Sequence, residues 1–318
     1  MSYQNVGTPV FYVNNLEFLA SNGFISINNI FRTLPVTPSK ETISENFTVP
    51  SMNDNIFLAV LGHLGASEST AFRIYNGGVD GTVVTPTDTV VNAVIDGDSI
   101  TTPYNGFSIA TYNTAIDSTL GVNYWDNEKT AGSLVIGTYY TMPHAPDLNL
   151  TMTREYSGIK TIETKGGSSL SNDFGSKNPK WGGLPAWGLG DGTSNSLTSH
   201  DLSSSGRRIW DLSFSYILDS DLFPDVSSLN AIESLHPDGG DFVTDHNPIG
   251  NTLLDDPNFY SQVVHKTNGG QLPFIFQPDS TNNNPDQFAI CKFDQSSFQF
   301  KQVANSVYDV SLKIREVW

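Results

Sequence analysis

Carboxylates, a few histidines and scattered aromatic side chains are the residues of this chain that could do chemistry. His236, Asp238, Asp241, Asp245 and His246 lie close together in sequence, and imidazole and carboxylate groups can ligate zinc or a harder cation. Their spacing matches no closed metal motif, and the segment around them is rich in Gly, Asn and Asp. A polar surface loop is therefore the simpler interpretation, and we expect no metal site.

Catalytic motifs are absent from the sequence. With 33 acidic residues some carboxylate pair will always exist, so a glycosidase-like pair is weak evidence for hydrolysis. The run that begins at Gly166 and Gly167 lacks the closing glycine of a nucleophile elbow. No helical pattern follows Gly188 to Gly192, so this run is not a dinucleotide loop. We expect neither enzymatic activity nor a cofactor.

Aromatic side chains in or near the loops of the N-terminal part could stack on sugar rings. These glycan-contact candidates are Tyr104, Tyr112, Tyr124 and Trp125. Burial in a core is the competing interpretation, because the 5 Trp, 12 Tyr and 19 Phe of the chain must largely be placed away from water.

The last sixty-odd residues contain the clearest secondary-structure signals. A short helix is expected near 256–267, with Asp256 as N-cap, Pro257 at the first helical position and a left-handed stop at Gly269-Gly270. A strand is expected from Val307 to the end of the chain, because apolar and polar residues alternate there with Glu316 as the exception.

Further strands are expected along the rest of the chain. In the segment from Ile209 to Ile217, alternation places Trp210, Leu212, Phe214 and Tyr216 on one face. The segment Ile56–Leu61 is apolar at every position and is expected to be a central strand. Six to eight short strands before residue 143, separated by Gly, Pro and Asn, predict a sandwich or jelly roll.

Two β-sandwich domains are expected, residues 1–143 and 147–318, joined by an extended link that contains Pro143 and Pro146. The second domain would carry two long polar inserts, 165–206 and 226–252. The first insert contains Trp181 and Trp187, which are expected to pack on its own domain or on a neighbour.

Composition excludes several classes of protein. The formal net charge is −17, and Arg207-Arg208 is the only adjacent basic pair, which argues against specific nucleic-acid binding and against anionic membranes. Without a signal-peptide pattern or a long apolar run, we expect a protein that stays soluble in a reducing compartment. The single cysteine, Cys291, lies in a predicted strand and is expected to be a small buried hydrophobe.

The second half contains an ordered set of motifs: Trp210-Asp211-Leu212-Ser213-Phe214 with a following acidic turn, then a helix, Gly270 and the run Pro273 to Pro278, a strand with Cys291, and the ending Ile314-Arg315-Glu316-Val317-Trp318. In this order they resemble the distal tail and minor tail proteins of long-tailed bacteriophages. The first half is similar to the galactose-binding-like jelly roll of some phage tail proteins, at Ile56 to Gly65 and Ser133 to Tyr140.

The resemblance implies a non-enzymatic virion protein, made in the host cytoplasm, that forms a ring of six copies and joins the tail tube to the hub or baseplate. We expect its subunit and partner interfaces to include Trp181, Trp187, Arg207, Arg208 and Trp318. An acidic bore would let DNA pass without binding. The alternative is a carbohydrate-binding adhesion module, in which the N-terminal jelly roll contacts the host surface.

Overall fold

The structure of the chain is a computed structural model. It describes residues 5–34, 43–50, 52, 55–61, 71–91, 107–125, 132–155, 159–173, 207–225, 253–284 and 287–317. The described fold is mainly β, with 47% of residues in strands and 11% in helices, and its sheets are antiparallel. The prediction of a β-sandwich class is thereby confirmed.

Seventeen strands are present in the described part of the chain. They are β1 Val10–Asn14, β2 Ile43–Thr48, β3 Ile56–Leu61, β4 Ala71–Asn76, β5 Thr82–Val84, β6 Asp88–Val91, β7 Phe107–Tyr112, β8 Thr119–Trp125, β9 Ser133–Thr141, β10 Thr151–Glu155, β11 Ile159–Glu163, β12 Ser169–Asp173, β13 Arg207–Leu218, β14 Phe274–Gln277, β15 Ala289–Phe293, β16 Phe300–Ala304 and β17 Val307–Glu316. The helical elements are α1 Asn15–Ser21, a 3₁₀ turn Asn29–Phe31, α2 Asp219–Leu222 and a π-helix Tyr260–His265.

One large sheet contains strands from both predicted domains. Its order is β10-β13-β17-β15-β14-β1-β9-β3-β7-β6, and β16 also pairs with β17. The N-terminal strand β1 lies between β14 and β9 and pairs with both. The two-domain division stays a prediction. The large sheet contains strands from both sides of the predicted boundary. As predicted, β3 is a central strand with both faces buried.

A smaller sheet of order β2-β8-β4-β5 completes the sandwich in the N-terminal part, and β11 and β12 form a separate hairpin. The core that includes Leu58 and Ile136 from the large sheet also includes Val122 and Ile74 from the small sheet. All four residues are at most 2% exposed. Inward-facing residues of two antiparallel sheets thus form this core, as in other β-sandwiches.

The second core lies on the same face of the large sheet, further towards β13 and β17. Its centre is Phe11 of β1, whose ring centroid lies 5.3 to 6.1 Å from those of Phe259, Phe274, Phe276 and Phe293. These rings come from β1, β14, β15 and the residue that precedes the π-helix. Phe11 therefore connects the first strand of the chain to elements near its end.

The predicted helix near 256–267 is present but begins later and has a different geometry. The side chain of Asn258, not Asp256, accepts the capping hydrogen bond, from the backbone N–H of Ser261 at 2.8 Å. The predicted stop is confirmed, since Gly269 and Gly270 have φ of 68° and 89°. Sequence reasoning missed α1, β5, β8, β12 and β16 as elements of regular structure.

We expect Phe11→Ala to lower the free energy of unfolding by about 3–5 kcal/mol, because truncation of a fully buried aromatic ring leaves a cavity among four other rings. Chemical denaturation followed by tryptophan fluorescence measures this loss. Phe24→Ala is the matched control, because Phe24 is 76% exposed and its truncation should change stability by no more than about 0.5 kcal/mol. Equal effects of the two substitutions would contradict the central place of Phe11.

Candidate functional site

Strands β10, β13, β16 and β17 form a basic region in an otherwise acidic chain. They carry six basic residues and four acidic ones, which gives a net charge of +2 against −17 for the whole chain. The basic residues are Arg154, Arg207, Arg208, Lys301, Lys313 and Arg315, and the acidic ones are Glu155, Asp211, Asp309 and Glu316. We refer to these four strands as the basic sheet end.

The outward side of the basic sheet end is polar, because alternation along β13 and β17 sends the apolar residues into the second core. Trp210, Leu212 and Phe214 are at most 1% exposed, whereas Asp211 between them is exposed. On β17, Lys313 forms a salt bridge with Asp294 at 3.6 Å. This side of the sheet can therefore make polar and ionic contacts with another molecule.

Tyr216 interrupts the regular alternation of β13, and the predicted orientation of its side chain is wrong. The register of β13 on β17 shifts between Phe214 and Ile217, so Ile217 takes the inward position and Tyr216 is 75% exposed. Tyr216 has φ of 62°, a conformation that is uncommon for bulky residues. Its backbone N–H donates to Oδ1 of Asp309 at 3.3 Å, which stabilises the bulge.

Exposed apolar side chains accompany Tyr216 at this end of β13. Leu218 is 53% exposed, and Leu148 is fully exposed. Leu148 follows Asp147, whose backbone N–H donates to the Ser213 carbonyl at 2.8 Å, so this segment lies beside β13. Tyr216 and Leu218 on β13, and Leu148 on the segment beside β13, are thus exposed apolar side chains at the margin of the basic sheet end.

Arg208, a predicted interface residue, is used within the chain. Its guanidinium contacts Glu316, with Nη2 3.1 Å from Oε1, and also donates to the Phe288 carbonyl at 2.9 Å. The two side chains are 11% and 6% exposed, and the guanidinium lies 5.2 Å from the centre of the Trp210 ring. The exception to alternation at Glu316 is thereby explained, because its carboxylate is the buried partner of Arg208.

Three other sequence-predicted site residues, Tyr112, Tyr124 and Arg207, lie on different strands of the described part of the chain. Tyr112 is 1% exposed and belongs to the core that includes Leu58 and Ile136, which agrees with the alternative of core burial. Tyr124 and Trp125 lie in β8, where only their backbone pairing is described, and Arg207 begins β13 half-buried. Tyr104, Trp181, Trp187 and Trp318, and the histidine and aspartate group from 236 to 246, lie outside the described residues.

Lys266, the residue after the π-helix, is the centre of a buried polar group between the two cores. It is 6% exposed, and its Nζ donates to Oε1 of Gln262 at 2.7 Å and to Oγ1 of Thr138 at 3.2 Å. Thr138 belongs to β9, and its side chain also contacts Oδ1 of Asn15 at 3.4 Å. Both acceptors of the Lys266 amine are neutral.

Burial lowers the pKa of the Lys266 amine to about 8, and the carboxylate of Asp255 opposes part of this shift. Loss of hydration disfavours the charged form, which is why a buried amine releases its proton more readily. The neighbouring His265 also has a lowered pKa, mainly from burial and further from the charge of Lys266. Burial raises the pKa of the Cys291 thiol, as Glu316 also does, so this residue is the inert buried hydrophobe that its sequence position predicts.

Metal-ligand clusters are absent from the part of the chain that the structure describes: no group of three or more His, Cys, Asp or Glu side chains could hold an ion there. Among the same residues, none of the helices is both long and apolar enough to span a membrane. Comparison with protein-family models, with curated proteins and with solved structures gives no significant match.

Lys266→Met is expected to raise the free energy of unfolding at pH 7 by about 3 kcal/mol relative to the wild type. The amine has its ordinary pKa of 10.5 in the unfolded chain and about 8 in the folded protein, so the unfolded chain binds more protons between these values. The free energy of unfolding of the wild type should therefore rise as the pH rises between these two values, whereas that of the variant should not show this rise. Denaturation of both proteins from pH 7 to above pH 10 measures the difference, and a constant difference would contradict the buried charge.

A double-mutant cycle tests the ion pair of Arg208 and Glu316. Each of Arg208→Met and Glu316→Leu should cost about 3–5 kcal/mol, because the remaining charge stays buried without its partner. The double variant should lose much less than the sum of the two single losses. Urea denaturation of the four proteins gives the coupling energy, and additive losses would show that the pair does not act as a unit.

Proposed function

We propose that this chain is a structural protein of a phage virion tail that assembles with copies of itself into a ring, as distal tail and minor tail proteins do. Two lines support the proposal. The motifs of the second half resemble those families, and the basic sheet end has the properties of a surface for association. Copy number six and attachment to tail tube and hub proteins are part of the proposal through the resemblance.

The main support for the proposed association surface is the conformation and exposure of Tyr216. A bulky residue with φ of 62° costs on the order of 1–3 kcal/mol, and a ring that is 75% exposed recovers little of it from packing within the chain. Asn or Gly would fit the same backbone conformation at lower cost. The tyrosine therefore contributes little to folding, whereas aromatic side chains with a polar tip are favoured at protein interfaces.

Charge indicates which surface the basic sheet end would contact on a neighbouring copy. Two chains of net charge −17 repel each other in most orientations. The net positive strands of one copy can approach acidic surface of the next copy, and such a contact joins two different surfaces. Contacts of this head-to-tail kind close into rings when the rotation between copies fits.

Backbone pairing between copies is a weaker route to assembly. The edge strand β10 has only five residues and includes the charged Arg154 and Glu155. Short, charged edge strands are typical of proteins that avoid edge-to-edge pairing. Side-chain docking at Tyr216, Leu148 and Leu218 is therefore the contact that we propose.

The alternative function, carbohydrate-binding adhesion, loses one of its four proposed contacts because Tyr112 is buried. Glycan-array binding by the full chain together with a monomeric state in solution would favour the adhesion module. Ring formation by the full chain would favour the structural function.

We expect the full chain to form closed rings with a central channel, seen by negative-stain microscopy and by light scattering after size exclusion. Tyr216→Asn should abolish assembly at micromolar concentration while leaving stability unchanged or higher by about 1 kcal/mol. High salt, about 1 M, should also dissociate the rings, because the Debye length then falls to about 3 Å.

Phe24→Ser is the control, since it removes another exposed aromatic ring, located after α1 and far in sequence from β13. This control should assemble like the wild type. A wild type that stays monomeric at high concentration would contradict the proposed function. Unchanged assembly of the Tyr216→Asn variant would contradict the proposed surface.

A further inference from the structure

A polar cleft lies beside Lys266, close to the first residue of β3. Strand β9 extends beyond that residue, to Thr141. Pairing of β3 with β9 starts at Ile56 and Thr138, and the Tyr139 N–H then donates to the Asn55 carbonyl at 2.9 Å. The cleft has a volume of about 350 Å³, and the Tyr139–Thr141 end of β9 lines one side. This volume falls in the range of small-molecule sites.

The amine of Lys266 has capacity for one more acceptor. An ammonium group has three donors, and Gln262 and Thr138 accept two of them. The Gln262 amide is held in this orientation because its Nε2 donates to the Asp256 carbonyl at 2.7 Å. Among the described residues no carboxylate lies within salt-bridge distance of Lys266, although Asp255 is close enough to act on it through space.

Folding alone does not account for a lysine at this position. A buried ammonium with two neutral partners is costly, and an apolar side chain of similar volume would remove that cost. The cation can instead stabilise an anionic group that enters the cleft, because a charge-assisted hydrogen bond is strong where water is excluded.

The remaining lining combines groups that suit a compact hydroxylated molecule. Asn55, Thr141 and Asp255 offer donors and acceptors for hydroxyl groups, while Met52, Leu254 and Pro257 offer apolar surface to ring carbons. The described lining has one cation and one carboxylate. A ligand with a carboxylate at one end and hydroxyl groups at the other matches both charges.

We propose that this cleft binds an acidic monosaccharide, either free or as the end of a polysaccharide, with its carboxylate on Lys266 and its hydroxyl groups towards Asp255 and Asn55. The site is separate from the basic sheet end, so it does not depend on ring assembly. It involves none of the aromatic residues that the sequence singled out for glycan contact.

Calorimetry with the full chain tests the proposal, with galacturonate as the probe and galactose as its neutral counterpart. Galacturonate should bind at least tenfold more tightly than galactose, because only the acid can use the Lys266 amine. A galacturonate oligomer that binds at least as well as the monomer would indicate that the site accepts a chain end. An oligomer that binds less well would restrict the site to the free sugar acid.

Two variants locate the site. Lys266→Met should weaken galacturonate binding at least tenfold, and Leu254→Trp should do the same by filling the cleft from a residue that is 38% exposed and not needed for the core. Lys313→Met, which removes a lysine from the basic sheet end, should leave binding unchanged. The Leu254 variant keeps the Lys266 amine and tests the cleft independently of that charge.

The proposal is overturned if galacturonate fails to bind at concentrations up to about 20 mM, where even an affinity of roughly −3 kcal/mol would be detected. It is also overturned if galactose binds as tightly as galacturonate, or if both cleft variants bind like the wild type.

Discussion

The fold depends on the insertion of β1 between β9 and β14. This strand of five residues is buried on both faces, with Phe11 in the core shared with the π-helix and Tyr12 in contact with Phe57 on the opposite face. Both of its edges are paired, so its backbone hydrogen bonds join residues near 140 to residues near 275. The two parts of the chain are therefore held by one continuous ladder, and a contact between surfaces is not needed to join them.

Arg208 and Lys266 are two cations with little exposure to solvent, and they differ in how far other groups compensate their charge. Arg208 has a carboxylate, a backbone carbonyl and an aromatic face as partners, so its charge is compensated inside the fold. Lys266 has two neutral acceptors and a cleft at its side. Because an uncompensated buried charge lowers stability, the first arrangement is explained by structure and the second points to a ligand.

The sequence alone predicts a strand and its buried face where apolar residues alternate regularly and the same residues are buried in the structure. The alternation along β17 indicates an inward apolar face, and even the exception at Glu316 was visible before its partner Arg208 was known. The short helix α1 was missed, although Asn14 and Glu17 have the spacing of a capping pair and the Asn14 side chain accepts from the Glu17 N–H at 3.2 Å. Strand β8 was missed because Gly121 and Asn123 weaken its β-propensity.

The candidate sites could not be predicted from sequence because each depends on a long-range relation. Simple alternation puts Tyr216 inside, and only the shifted pairing with β17 turns it outward. Lys266 fits the end of a helix by local rules, and only the approach of Thr138 from a strand more than a hundred residues earlier shows that its amine is buried.

Local rules and global structure disagree at few positions in a natural protein, and those positions are enriched in function. Tyr216 and Lys266 are two such positions, and they lie on different elements and differ in kind. A strained, exposed ring can only gain energy from a partner at the surface, whereas a buried amine can only gain it from a group small enough to enter the cleft. The proposed assembly and the proposed ligand binding therefore depend on different residues, and a substitution that removes one should leave the other intact.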